Sequence, residues 1–475
     1  MRSFRNLVVT ATAVVVGILT LTASPVAASP AVSYNNTLIS QRADPHIYKH
    51  TDGFYYFTAT VPAYDKVVMR RSQTIMGLSN AAETTIFARK RSGVGSGYIW
   101  APEIHYIDNK WYIYVAMGLA SQGGWGIRMT VLEGTGSNPL TAQWVEKGVI
   151  RTNRDTFNLD ASTFVAGGTR YLIWAQTEGD GTAILIAPLQ NPWTIRGTPT
   201  IITRPDQPWE RVNERVNEGA YVIQKNGKIF LTYSAAATDS NYCMGLVTAD
   251  ANADLMKASS WTKSKTPVFV SNAKTSQWGP GHNSFTVSED GQSDIMVYHD
   301  RGYKNINGSP LNNPDRRTRV QKLYWKADGT PDFGIPVPDG PTPVRLRSYT
   351  TPTLFVTHRN SVHMDANAAL ADTQFRIIRP GLAGGSTVSL ESTSEPGSFL
   401  RRSGSAMQLV AKQNSAAFNA DASFNQREGL AGSAGVSFEA SGAAGQYLRA
   451  EGGNNALVVG AVAEAQRESA TFVLE

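Results

Sequence analysis

The chain has 475 residues, with Gly 42, Tyr 18, Trp 10 and only 17% charged residues. That length allows two or three domains of about 150 residues each, and that composition favours turn-rich β structure over helix. The formal charge of +6 is spread without a dense Lys/Arg block, which argues against a nucleic-acid partner, and the single cysteine, Cys243, excludes an intrachain disulfide and reads as a buried structural thiol.

Residues 1–28 read as a secretory signal peptide. "MRSFRN" supplies Arg2 and Arg5, "LVVTATAVVVGILTLTA" is an apolar core, and "PVAA" ends at Ala28 with a small-residue cleavage site. No stop-transfer pattern follows, and no later run is apolar enough to span a bilayer. A secreted, extracellular, monomeric protein with no membrane association is the expectation.

Five hairpin-like segments follow. They are "DPHIYKHTDGFYYFTAT" from Asp44, "APEIHYIDNKWYIYVAM" from Ala101, "DASTFVAGGTRYLIWAQ" from Asp160, "NEGAYVIQKNGKIFLTYSA" from Asn217 and "GHNSFTVSEDGQSDIMVYHD" from Gly281. Each has an aromatic or β-branched strand, a polar turn and a second strand. Each also opens with a polar residue that a strand start does not need: Asp44, Glu103, Asp160, Glu218 and His282, spaced by 59, 57, 58 and 64. Five units of about 60 residues predict a five-bladed β-propeller over residues 36–338, in which equivalent positions converge on the central axis.

The stretch "PWERVNERVNEGAYV" repeats Glu210, Glu214 and Glu218 at four-residue spacing. The blade phase singles out Glu218. Glu210 and Glu214 fall in the preceding connection and are expected to be dispensable for chemistry.

A Pro-rich break at "IPVPDGPTPVRLRS" marks residues 339–347 as a linker. The tail, 348–475, repeats itself three times. "TLFVTHRN", "SFLRRSGS" and "QYLRAEGG" correspond, and the copies close at Phe375, Phe424 and Phe472, spaced by 49 and 48. Three β-rich copies predict a β-trefoil, so the whole chain is expected to be all-β.

Asp44, Asp160 and Glu218 would meet in one funnel. Glycoside hydrolysis needs such carboxylates: one protonated to release the leaving oxygen, one ionised to activate water or attack carbon. A third raises the pKa of the proton donor. The competing reading makes each a turn cap at a strand start.

"RADPHIY", "YIWAPEIHY", "FNLDASTF", "VNEGAYV" and "GPGHNSF" occur in this order and at blade spacing, and together they resemble the motifs of glycoside hydrolase family 43. The resemblance implies an inverting hydrolase with Asp44 as general base, Glu218 as general acid and Asp160 as the residue that raises and orients the acid. It also implies substrate contacts from Trp100, Glu103, Asn158, His282 and Arg316, the last chosen over Arg317 and Arg319. Trp100 either stacks on sugar or packs between blades. His282 either holds an axial calcium or sodium ion or an ordered water, or is a core histidine; no cofactor is required. The tail resembles the AbfB-type arabinofuranose-binding module, carbohydrate-binding module family 42. That likeness implies sugar contacts from His358 and Asp372 in the first copy and Asp421 in the second, where Arg402 replaces the histidine. Ala450 and Ser469 leave the third copy without either. The "DSNYCMGLVTAD" segment resembles exo-acting α-1,5-L-arabinofuranosidases, which implies arabinan and other arabinose-containing plant cell-wall polysaccharides as partners. The alternatives are an arabinofuranosidase acting on arabinoxylan side chains, a β-xylosidase, or a non-catalytic lectin.

Overall fold

The computed structural model describes residues 33–475, so the signal-peptide expectation for residues 1–28 lies outside them. Among the described residues no helix is long and apolar enough to cross a membrane.

Five antiparallel sheets succeed one another along the chain. Their innermost strands are Ala43–Lys49, Ile99–Ile107, Asn158–Ala166, Asn217–Lys225 and Trp278–Val287. Each touches the next, and the fifth touches the first, which closes a five-bladed ring. The apolar faces of neighbouring blades supply the core between them. Tyr56 and Met69 of the first blade meet Ile113 and Val115 of the second. Tyr114 and Val131 of the second meet Leu172 and Trp174 of the third, and Phe57 meets Val297 and Val320 where the ring closes.

The fifth blade has three strands of its own. The N-terminal segment completes it: Leu38 N–H donates to the Thr318 carbonyl at 3.0 Å, and Thr318 N–H donates to the Ile39 carbonyl at 2.9 Å. The Asn36 amide imitates another strand residue by bonding both the N–H and the C=O of Val320, at 3.0 and 2.8 Å.

All five inner strands carry the same irregularity. Two residues of the inner strand oppose one residue of its partner, between Ala43 and His46, Trp100 and Glu103, Leu159 and Ser162, Glu218 and Tyr221, and Gly281 and Ser284. The first residue of every bulge is left-handed: Asp44, Ala101, Asp160, Gly219 and His282 have φ of 52°, 45°, 55°, 57° and 46°. A left-handed residue other than glycine costs about 1–3 kcal/mol, and bulges bend strands and re-aim side chains. The repeat of the fold is therefore off the sequence phase in two blades, by two positions in one and by one in the other. Ala101 and Gly219 occupy the equivalent positions, with Glu103 two residues after one and Glu218 one residue before the other.

The C-terminal domain is a closed β-barrel with trefoil repeats. Three hairpins, Phe355–Thr357 with His363–Asp365, Ser398–Ser403 with Ala406–Ala411, and Gln446–Glu451 with Ala456–Ala461, correspond to the three sequence copies. Phe375, Phe424 and Phe472 are buried together in its core. The segment 339–347 is not a loose linker: Gly340–Pro341 pairs with Asn35–Asn36, and Val344–Ser348 is already a strand of the barrel. Of the prolines that suggested a tether, Pro336 and Pro338 precede these strands, Pro341 lies in the first and Pro343 separates the two.

Candidate active site

One cavity of about 570 Å³ opens at the axial mouth of the propeller, within the roughly 300–1,000 Å³ usual for small-ligand sites. Asp44, Asp160, Glu218, His282, Arg316 and Trp100 all line it. The bulges explain this convergence: Asp44, Asp160 and His282 are bulge residues, and Glu218 directly precedes one.

Asp44 is held from several sides. Thr60 Oγ1 donates to its Oδ2 at 2.6 Å, and Arg316 Nη1 donates to its Oδ1 at 3.2 Å. Its backbone N–H donates to His299 Nδ1 at 3.0 Å. His282 Nδ1 stands 3.3 Å from Asp44 Oδ1 and 4.0 Å from Asp160 Oδ2. Burial works against the charge of Asp44, but Arg316, His282 and His299 outweigh it and hold the carboxyl well below the usual range.

Glu218 has the opposite balance. Burial pushes it up to about 7; the Tyr242 hydroxyl, donating to Oε1 at 2.7 Å, opposes the rise, and the charge of Asp44 adds to it. Asp160 accepts the Gly219 N–H at 3.0 Å, one residue beyond Glu218. Burial, with Glu218 and Asp44 nearby, raises it well above the ordinary carboxylate range. The site thus keeps one carboxylate ionised beside two that hold protons, which is the division of labour an acid–base pair needs.

Arg316 faces Asp44 and also donates to the Tyr64 hydroxyl at 3.3 Å. Arg317 and Arg319 are committed elsewhere, to Asp300 and Asp339. Trp100 is buried at the mouth of the site. It lines the cavity, and it stacks on Tyr98 at 5.2 Å while meeting Trp125 edge-on at 5.4 Å. Trp125, 43% exposed, and Phe157 extend this aromatic wall outward.

Two expected substrate contacts fall outside the cavity lining. Asn158 ties two blades together: its Oδ1 accepts the Met129 N–H at 2.8 Å, and its Nδ2 donates to the Thr156 carbonyl at 2.7 Å. Glu103 directly follows its bulge, buried, 3.2 Å from His105 Nε2 and bonded to Ser162. Glu103, His46 and His105 cluster closely enough to suggest metal ligands. The Ile104 N–H commits His46 Nδ1 as an acceptor at 3.3 Å, however, so Nε2 carries the hydrogen toward the Tyr221 hydroxyl, 3.1 Å away. That tautomer has no lone pair for an ion. At His282 the protein offers one nitrogen beside carboxylates that are already engaged. This is not the cage of six to eight oxygens that calcium takes, so no chemistry is assigned to an ion there.

Glu210 lies in the connection before the inner strand, as expected, and has a structural role there. It is fully buried. Its Oε1 accepts from Asn217 Nδ2 at 3.0 Å and from the Tyr233 hydroxyl at 2.9 Å; its Oε2 accepts from Gln207 N and Lys263 Nζ, both at 2.7 Å. It anchors the loop leading into Glu218. Glu214 lines the cavity rim. Sequence reasoning missed His299, on the second strand of its blade, and Tyr242, just before the third strand of its blade, where the blade-start phase gives no signal. Cys243 is buried and far from ionisation, its thiol pushed up to about 12 by burial.

In the barrel, His358 Nε2 lies 3.0 Å from both Ser394 Oγ and Ser392 Oγ, and Ser394 Oγ reaches Asp372 Oδ1 at 3.4 Å. The first copy thus gathers its expected pair. In the second copy Arg401 and Arg402 take both oxygens of Asp421, at 3.1 and 3.2 Å. Asp421 is an ion-pair partner there and not a free acceptor for sugar hydroxyls.

A buried carboxylate triad at the axial mouth of a five-bladed propeller, with its members poised in opposite protonation states, is the architecture of a glycoside hydrolase. Residues 34–331 match the glycosyl hydrolases family 43, and residues 344–474 match the α-L-arabinofuranosidase B (ABFB) domain. The chain belongs to glycosyl hydrolases family 43. It is 62% identical to α-L-arabinofuranosidase 43 of Humicola insolens, over 94% of this chain and 96% of that one. It is 55% identical to an extracellular exo-α-(1→5)-L-arabinofuranosidase of Streptomyces avermitilis, over 84% of each. The crystal structure of α-L-arabinofuranosidase from Lactobacillus brevis is 50% identical, with a TM-score of 0.62, and covers 64% of this chain and 98% of that one.

Proposed function

We propose that this glycoside hydrolase is a secreted, inverting exo-α-L-arabinofuranosidase that releases L-arabinose from the non-reducing ends of α-1,5-linked arabinan and arabino-oligosaccharides. The observation that carries this is the pairing of an ionised Asp44 with a proton-bearing Glu218 in one cavity. In a single displacement, a water oxygen forms a bond to the anomeric carbon as its proton passes to Asp44. The glycosidic C–O bond breaks as Glu218 gives its proton to the departing oxygen, and the sugar leaves with inverted configuration. Asp160 orients the acid through the Gly219 amide, and the charge of Asp44 adds to burial in keeping the Glu218 proton in place. Arg316 keeps Asp44 ionised. No cofactor takes part.

Exo action is supported by the wall of the cavity. Trp125, Phe157, Asp180, Arg215, Thr238 and Leu311 bring loops from four blades around the mouth. Arg215 pairs with Asp180, and Arg301 fastens the turn at Pro310. Such a wall favours a pocket for a chain end over an open groove. The linkage and the extracellular setting rest on the named relatives, and the barrel would hold the enzyme to arabinose-bearing polysaccharide through His358 and Asp372. The test is digestion of linear arabinan and of arabinoxylan by the intact chain and by Glu218→Gln. The intact chain releases arabinose monomer from linear arabinan. The variant loses activity by roughly 10²–10⁴-fold. Undiminished hydrolysis by the variant contradicts the acid assignment, and preferential release from arabinoxylan contradicts the linkage.

A further inference from the structure

The general acid and the general base are joined by a second pair of side chains. The Tyr242 hydroxyl donates to Glu218 Oε1 at 2.7 Å. His299 Nδ1 accepts the backbone N–H of Asp44 at 3.0 Å. The two rings lie nearly parallel, with centroids 5.6 Å apart and planes 5° from each other. Both are buried, Tyr242 at 1% and His299 at 0% exposure. One plate of two rings therefore runs behind the site, touching the acid at one edge and the base at the other.

The surrounding sequence makes room for that plate. A Cβ on Gly281 would stand 2.5 Å from Tyr242 Cε1, and one on Gly279 would stand 2.3 Å from the Asp239 carbonyl oxygen and 3.6 Å from Tyr242 Cβ. The glycines of "GPGHN" are thus the space into which Tyr242 fits. Tyr242 itself belongs to the "DSNYCMGLVTAD" segment, whose place in the chemistry is otherwise empty. His299 Nδ1 also lies 3.4 Å from Asp44 Oδ1, so the ring meets both the backbone and the carboxyl of Asp44.

We propose that Tyr242 and His299 are positioning residues that set the geometry between acid and base: the Tyr242 hydroxyl orients the Glu218 carboxyl toward the leaving oxygen, and the stacked His299 holds the Asp44 backbone at the matching distance. A single displacement needs a fixed gap between the two carboxyls, wide enough for one water. Two independently mobile side chains would not keep that gap. The proposal rests on the acid and base assignments above.

The groups facing Glu218 are Tyr242, Asp44, Asp160, Arg316 and Glu214. Of these, Tyr242 donates a hydrogen bond that favours the ionised carboxylate. Replacing Tyr242 with Phe keeps the plate and deletes only that bond.

The test measures kcat and kcat/KM against pH for the intact chain, Tyr242→Phe, Tyr242→Leu and Glu218→Gln. Each is assayed on α-1,5-arabino-oligosaccharide and on 4-nitrophenyl α-L-arabinofuranoside, whose leaving group needs little protonation. For Tyr242→Phe the expected result is a descending limb displaced to higher pH, an unmoved ascending limb, and kcat on the oligosaccharide reduced roughly tenfold or more. KM stays within about twofold and the loss on the nitrophenyl substrate is smaller. Tyr242→Leu, which removes the plate, moves the ascending limb as well. An unmoved descending limb in Tyr242→Phe, or equal losses on the two substrates, overturns the role of the hydroxyl. Tyr242→Leu behaving like Tyr242→Phe overturns the role of the plate; if Leu prevents folding, the Phe variant still decides. Glu218→Gln separates the two levels of the argument. A descending limb that survives in its residual activity refutes the acid assignment itself. A limb lost there but unmoved in Tyr242→Phe refutes only the positioning proposal.

Discussion

Asp44 and Glu218 are both buried carboxylates, yet their environments push them in opposite directions. Arg316 and two histidines favour the charge of Asp44, whereas burial and a neighbouring negative charge favour the proton on Glu218. The sign of the pH dependence follows. The base must be ionised, so activity persists far into acid, below the ordinary carboxylate range. The acid must be protonated, so activity falls as pH rises through about 7. A pH series of kcat/KM on arabino-oligosaccharide checks both limbs. Replacing Arg316 with Met removes the cation facing Asp44 and should move the acid limb upward, with lower kcat throughout. An acid limb that stays in place contradicts the role given to Arg316.

The inner strand is where these residues become neighbours. Its repeated bulge places a left-handed residue at the same point in all five blades, and the blade spacing of about 60 residues was visible in the sequence because that strand recurs. The position within the strand was not visible. Phase counted from polar residues selected Glu103 and Glu218, while the backbone repeats at Ala101 and Gly219. Asp44, Asp160 and His282 could be found because the side chain and the bulge coincide there. Asn158 and Glu103 lie outside the cavity lining, because a polar residue in an inner strand can also be spent on holding blades together, Asn158 through Met129 and Glu103 through Ser162. Gly219→Ala tests the bulge: φ is +57° and the new Cβ would stand 3.0 Å from the His282 ring. The expected outcome is a folded protein with a large loss of kcat, measured beside an unchanged circular dichroism spectrum. Glu210 makes the same point from the connection before the strand. Its four-residue spacing from Glu214 and Glu218 carries no sign of this, yet four donors converge on it in the folded chain. Glu210→Gln should cost about 1–3 kcal/mol, read as a lowered denaturant midpoint; stability equal to that of the intact chain contradicts the anchoring role.

Across the whole molecule, the two domains are joined by structure and not by a tether. Gly340–Pro341 pairs back onto Asn35–Asn36, and the Tyr324 hydroxyl donates to the backbone carbonyl of the last residue, Glu475, at 3.1 Å. Three copies and their Phe spacing made the trefoil legible, because a repeated core position leaves a repeated residue. Which copy can bind was only half legible: the loss of the second histidine could be seen, but the capture of Asp421 by both Arg401 and Arg402 needed the folded arrangement. Asp372→Ala should therefore weaken retention on insoluble arabinan, measured by pull-down, and leave kcat on soluble oligosaccharide unchanged, while Asp421→Ala should change neither. The account as a whole turns on water attacking the anomeric carbon directly, with Asp44 and Glu218 on opposite sides of the bond. Proton NMR of the first arabinose released from an α-1,5-linked oligosaccharide, recorded before mutarotation, tests this most directly. The account predicts the β-anomer; first release of the α-anomer would contradict it.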